Sequence, residues 1–179
     1  MDLKFTATLP ACAVLAKYFR SPSAPERSGP FVGARPGMIR YVMRAKLVPE
    51  FVCSNFAESH RFYTELLGFR VLYSRPEERF AYLGRDGAEL MLEQPVSHGR
   101  LSPRAELAYP FGRGINFQIQ VSDVERLHAA ILAAGVAIYL PLEERWYRRE
   151  NDEIGVRQFA IQDPDGYLLR FSQVIGERR

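Results

Sequence analysis

The side chains best able to do chemistry in this 179-residue chain are three histidines, two cysteines and a set of carboxylates. Their spacing supports little catalysis. His60, His98 and His128 lie far apart, and none sits in a paired metal-ligand spacing. No serine or cysteine has a base beside it in the pattern that activates a nucleophile. Binding chemistry is better supplied. Between Ile115 and Val121 the sequence alternates, so Asn116, Gln118 and Gln120 share one strand face while Phe117, Ile119 and Val121 share the other. Glu50 and Val52, Glu89 and Glu93, and Leu168 and Arg170 fall in the same register on other strands. Amides, scattered acids and apolar groups on one concave face suit an organic ligand with many polar groups. Trp146, the only tryptophan, stands with Tyr147 among charges and outside any apolar period, as an aromatic contact residue does.

An internal repeat positions these residues. Asn55 opens a helical pattern with Glu58 three residues on, a capping box. Phe56, Phe62, Tyr63, Leu66 and Leu67 make its apolar face, and Gly68 supplies the left-handed stop. Ser122 and Glu125 open a second helix with Val124, Leu127, Ile131 and Leu132 on its face, closed by Gly135. Each helix follows one strand and precedes three. The turn signals Arg85-Asp86-Gly87 and Asp163-Pro164-Asp165-Gly166 divide the later strands. The expected fold is α+β: two βαβββ repeats, at about residues 46–94 and 115–173, forming a curved mixed-sheet cup. Asn116 is equivalent to Val48 through an offset of 68, and Arg170 to Met91 through an offset of 79. His60 and His128 fall at equivalent helix positions and read as helix-surface residues. Residues 140–156 break the repeat and read as a long functional loop.

Composition narrows the rest. Residues 1–37 hold five Lys/Arg and two Asp/Glu, and the remainder holds nineteen of each. A neutral domain lacks the clustered basic charge of a nucleic-acid binder. No apolar run approaches the roughly 20 residues of a membrane helix. Two cysteines are no disulfide framework, and Cys53 reads as a small buried hydrophobe. A cytoplasmic protein is therefore expected. Residues 1–37 are rich in Ser, Pro and Gly and read as a disordered or poorly ordered extension, with one domain over residues 38–179. The apolar stretch Phe5 to Ala16 is short and interrupted by Pro10, which argues against a signal peptide.

The two βαβββ units, the segment Ser54 to Phe69 and the closing Asp163-Pro164-Asp165-Gly166-Tyr167 resemble the vicinal oxygen chelate superfamily of glyoxalase I, extradiol dioxygenases and bleomycin resistance proteins. The segments Phe69 to Tyr73, Glu89 to Glu93 and Leu168 to Phe171 look most like the bleomycin-resistance branch. The resemblance implies a divalent metal, in the enzymes, on four strand positions that fall here on Val48, Met91, Asn116 and Arg170. None of the four matches the His/Glu pattern, so no metal and no cofactor is expected. The implied function is non-enzymatic sequestration of a bleomycin-like glycopeptide antibiotic, metal-free or metal-loaded, by a homodimer. Ligand contacts are expected from Glu50, Glu89, Met91, Asn116, Gln118, Trp146, Tyr147 and Arg170. The alternatives are a metal-dependent lyase or dioxygenase, or a fold relative that binds another metabolite.

Overall fold

The computed structural model of the chain describes residues 45–95 and 107–179. The expected N-terminal extension, Cys12 and His98 lie outside the described residues. Ala45–Arg179 forms one compact unit.

Each repeat builds a four-stranded sheet. The first holds β1 (Glu50–Val52), β2 (Arg70–Arg75), β3 (Phe80–Arg85) and β4 (Ala88–Glu93) in the order β1-β4-β3-β2. The second holds β5 (Asn116–Gln120), β6 (Ile138–Arg149), β7 (Asp152–Gln162) and β8 (Leu168–Arg178) in the order β5-β8-β7-β6. In both, the first strand pairs parallel to the last and the other pairings are antiparallel. The register preserves the sequence offsets. Glu50 pairs with Met91, and Gln118, 68 residues after Glu50, pairs with Arg170, 79 residues after Met91.

The helices begin where short polar side chains can cap them. In α1 (Phe56–Arg61) Asn55 Oδ1 accepts the Glu58 backbone N–H at 3.3 Å, as the sequence predicts. One turn of π-helix, Phe62–Leu66, follows it. There the Thr64 hydroxyl bonds the His60 carbonyl at 2.8 Å, and Leu67 N–H reaches back to Phe62. A hydroxyl competing for the i−4 carbonyl loosens the ordinary helical ladder. For α2 (Val124–Ala133) the expected cap is corrected by one residue. Asp123, not Ser122, accepts the Arg126 N–H at 2.9 Å. Fully buried Val124 must take the first helical position, which leaves Asp123 to cap it. Gly68 and Gly135, both at φ 69°, end the two helical segments as predicted. Asp86 and Gly87 take left-handed φ in the β3–β4 turn, the geometry of a tight hairpin.

One apolar core draws on both repeats. Phe51, Tyr63, Leu83 and Leu92 from the first meet Ile119, Ile131, Phe159 and Phe171 from the second. Across the junction the Phe51 ring stacks on Tyr167 at 4.4 Å and lies 4.5 Å from Phe117. A polar lock sits beside them. The β7–β8 turn delivers Asp163 and Asp165, both buried, to the α1 side of the first repeat. Asp165 accepts from Ser54 N–H at 2.9 Å and Ser59 Oγ at 3.1 Å. Asp163 accepts from Tyr63 Oη at 2.8 Å and from the backbone N–H groups of Asp165 and Tyr167. Burial nevertheless pushes the Asp163 carboxyl up to about 7. The polar faces of both sheets lie opposite the faces that build this core.

Residues 140–156 are not a loop, which corrects the sequence reading. They belong to the long hairpin of β6 and β7, closed at Glu150 and Asn151. Charged and aromatic residues alternate along it and find partners on neighbouring strands. Arg149 pairs with Asp152 at 2.9 Å, Arg178 with Glu153 at 2.5 Å, and Arg157 with Glu144. Pairs of this kind extend a ladder where propensity alone predicts irregular chain.

Candidate functional site

The polar sheet faces carry the residues expected to bind, and each repeat gathers its own group. On the first sheet Glu50, Met91, Val52 and Glu93 share a face through the β1–β4 register, as alternation requires. Glu50 is exposed, while Met91 and Glu93 are half-buried. Burial raises the Glu50 carboxyl above its ordinary value, and a hydrogen bond and like charge from Glu93 raise it further; Arg75 opposes them. Glu89 accepts from Tyr82 Oη at 2.8 Å. Beneath these acids lies an aromatic floor. Tyr73 stacks on Tyr82 at 5.1 Å, and the Arg75 guanidinium covers the Phe80 ring at 3.8 Å.

On the second sheet Asn116, Gln118 and Gln120 are exposed side by side, as their alternation predicts. Gln118 pairs with Arg170 on β8, and Ala160 on β7 flanks Arg170 on its other side. One register step along, Gln158 pairs with Ser172, and both are buried. The Gln158 amide donates to Glu143 Oε1 at 3.0 Å and to Tyr147 Oη at 2.8 Å. That bond, then Arg145 and the charge of Arg170, hold the Glu143 carboxyl below the usual carboxylate range. The Arg170 guanidinium has its Nε buried without a hydrogen-bond partner.

The hairpin separates Trp146 from Tyr147, which the sequence placed together. Neighbours on a strand face opposite ways. Tyr147 lies on the polar face with Glu143 and Gln158. Trp146 lies on the other, across from Gly155, with the Arg178 guanidinium 4.2 Å from its ring centre. His60 sits beside Phe56 on α1, and His128 packs edge-on against Phe159 at 5.0 Å. Both belong to the helix side of the sheets. Cys53 is buried, and burial pushes its thiol up to about 12, so it is no nucleophile. Tyr109 and Pro110 crowd Gly166 in the β7–β8 turn.

Sequence reading missed Gln158, Glu143, Arg75 and the tyrosine floor as members of these groups. The signal for Gln158 is present. In Val156 to Gln162 the residues Gln158, Ala160 and Gln162 alternate with Phe159 and Ile161, which continues the amide face of β5. The partners of Glu143 depend on the hairpin register, which a loop reading hides.

The four positions that the resemblance assigns to a divalent metal do not fit one here. Val48 has no donor atom, and Met91 offers a soft thioether. Asn116 offers one carbonyl oxygen, and Arg170 brings a permanent cation. Among the described residues no three His, Cys, Asp or Glu side chains converge.

A family profile described as the glyoxalase/bleomycin resistance protein/dioxygenase superfamily matches residues 45–171. A crystal structure of a member of that superfamily from Vibrio splendidus 12B01 is 40% identical, covering 72% of this chain and 97% of that one, with a TM-score of 0.34. A virulence protein from Salmonella typhimurium is 24% identical, covering 75% of this chain and 100% of that one, at TM-score 0.53. TioX from Micromonospora sp. ML1 is 23% identical, covering 72% and 95%, at TM-score 0.53. The latter two share the fold. No curated protein matches the sequence.

Proposed function

Since the chain belongs to the glyoxalase/bleomycin resistance protein/dioxygenase superfamily, we propose that it is a non-enzymatic binding protein that sequesters a polar organic molecule of the bleomycin type. The observation that carries this reading is the set of side chains on the polar sheet faces. Exposed amides at Asn116, Gln118 and Gln120 adjoin Arg170 where enzyme relatives place metal ligands. Such a surface can hydrogen-bond a ligand along its length, and it supplies neither a Lewis acid nor an activated nucleophile. The acids Glu50 and Glu93 add attraction for a cationic group, which bleomycin-type glycopeptides carry. Tyr147, on the same face as Arg170, is the aromatic contact of the hairpin. Trp146 belongs to the hairpin's packing.

The cup closes between two chains in this reading. The polar face is open in one protomer, and paired subunits would enclose it.

Titration calorimetry tests the binding. Metal-free and copper-loaded bleomycin, with a panel of unrelated polar aromatic compounds, are titrated into metal-stripped protein. Saturable binding of bleomycin in either form supports sequestration. Saturable binding of an unrelated compound alone assigns the cup to another metabolite. Turnover of a thioester or catechol substrate on metal addition would replace the reading with an enzymatic one.

A further inference from the structure

We propose that Arg170 is an anion anchor, and that the ligand of this cup carries a carboxylate or a similar planar oxyanion in addition to its other polar groups. The inference rests on the small-molecule reading above and narrows its ligand class.

The geometry around Arg170 points to an absent acceptor. Its Nε is the one buried side-chain nitrogen or oxygen among the described residues that lacks a hydrogen-bond partner. An arginine can only donate, so an acceptor must come from somewhere. The strand neighbours supply none. Ala160 on β7 has no polar side chain, and Nε is closed to solvent, so an arriving oxyanion reaches it as the Arg170 side chain shifts. Gln118, its register partner on β5, is exposed and makes no bond to Nε, and two polar chains on the other side are already directed elsewhere. The Gln158 amide nitrogen points to Glu143 and Tyr147, and Glu143 is bonded by Gln158 and by Arg145 at 3.2 Å. Glu143 feels the charge of Arg170, yet the two form no ion pair. Every other buried polar side chain among the described residues is satisfied, including the crowded Asp163 and Asp165. An orphaned buried donor calls for an explanation, and a ligand that arrives later supplies one.

The shape of the group decides which partner. Nε–H and one terminal N–H of a guanidinium form a flat fork that matches the two oxygens of a carboxylate. Gln118 and Asn116, exposed on the adjoining strand, can donate beside that fork. A neutral amide carbonyl could take one of these bonds, whereas a carboxylate takes both and neutralises the charge.

The test uses the full-length protein labelled with ¹⁵N-arginine, with the Arg170 Nε–H resonance assigned through Arg170→Lys. Sodium benzoate, benzamide and benzamidine hydrochloride are the probes, at matched ionic strength. Benzoate is expected to shift the resonance to saturation, while the neutral and cationic analogues of the same ring leave it nearly unmoved. Arg170→Gln should weaken benzoate about ten- to hundredfold, the scale of a charge-assisted hydrogen bond. Arg170→Met should also lose benzoate, yet melt at the same temperature as the parent or higher, because it removes an unpaired buried donor. An equal response to benzamide, or unchanged benzoate affinity in Arg170→Gln, overturns the anchor. So does a clear fall in melting temperature for Arg170→Met, which would reveal an internal partner. No response to any probe overturns it as well, and the bleomycin titration then judges the small-molecule reading by itself.

Discussion

Trp146 lies flat against Gly155. A Cβ built on that glycine would meet the indole Cη2 at 2.7 Å and Cζ2 at 2.8 Å. The contact joins β6 to β7, and Arg178 of β8 closes over the ring. The three strands are thus pinned together by one aromatic plate, which leaves Tyr147 on the opposite face.

Gly155→Ala should therefore destabilise the protein by about 1–3 kcal/mol, the usual cost of forcing a group into a packed contact. The indole fluorescence should shift with it, as the ring is driven toward water. Trp146→Phe in the same chain should restore much of the loss, because the smaller ring vacates the space. Chemical denaturation of the two single variants and the double variant measures the coupling. Additive losses would show that the two residues do not meet. Ligand affinity should change little in Trp146→Phe.

The Asp163 carboxyl makes stability depend on pH with a definite sign. Its folded value of about 7 lies above the ordinary 3.8. Between those limits the folded state binds a proton that the unfolded chain has released, so stability falls as pH rises. The contribution is fullest below about pH 4 and is lost by about pH 7, with an upper size of about 4 kcal/mol. Asp163→Asn, which keeps the shape and stays neutral, should flatten that slope. Denaturant melts of parent and variant from pH 4 to 8 give the difference curve. A parent that gains stability over the variant as pH rises would refute it. Tyr63→Phe should cost about 1–3 kcal/mol, because it strands one oxygen of a buried acid.

Much of this architecture is legible in the residues alone. The strand alternation at 115–121 and the offsets of 68 and 79 place Glu50, Met91, Gln118 and Arg170 in equivalent register, and the sheets pair them so. Asn55, Gly68 and Gly135 mark helix ends because a cap or a left-handed φ admits few residue types. The extension of the hairpin over residues 140–156 was hidden for a physical reason. Its strands are held by cross-strand ion pairs and one tryptophan on a glycine, and each of those partners lies on a different strand. Local pattern cannot pair Arg157 with Glu144 or Trp146 with Gly155. The unpaired Nε of Arg170 is equally invisible in sequence, since it is defined by what its neighbours bond instead.

A homodimer is expected from the open polar face. Light scattering at micromolar concentration should give about twice the 20.5 kDa of one chain. A strict monomer that still binds ligand with full affinity would place the whole site in one protomer.

The central claim is that this fold has exchanged its metal centre for an organic binding face, and elemental analysis of protein purified without chelator tests it most directly. The account predicts no stoichiometric Ni, Zn, Mn or Fe, before or after dialysis against each ion. About one tightly held metal per chain, lost when Asn116 or Met91 is replaced by alanine, would contradict it.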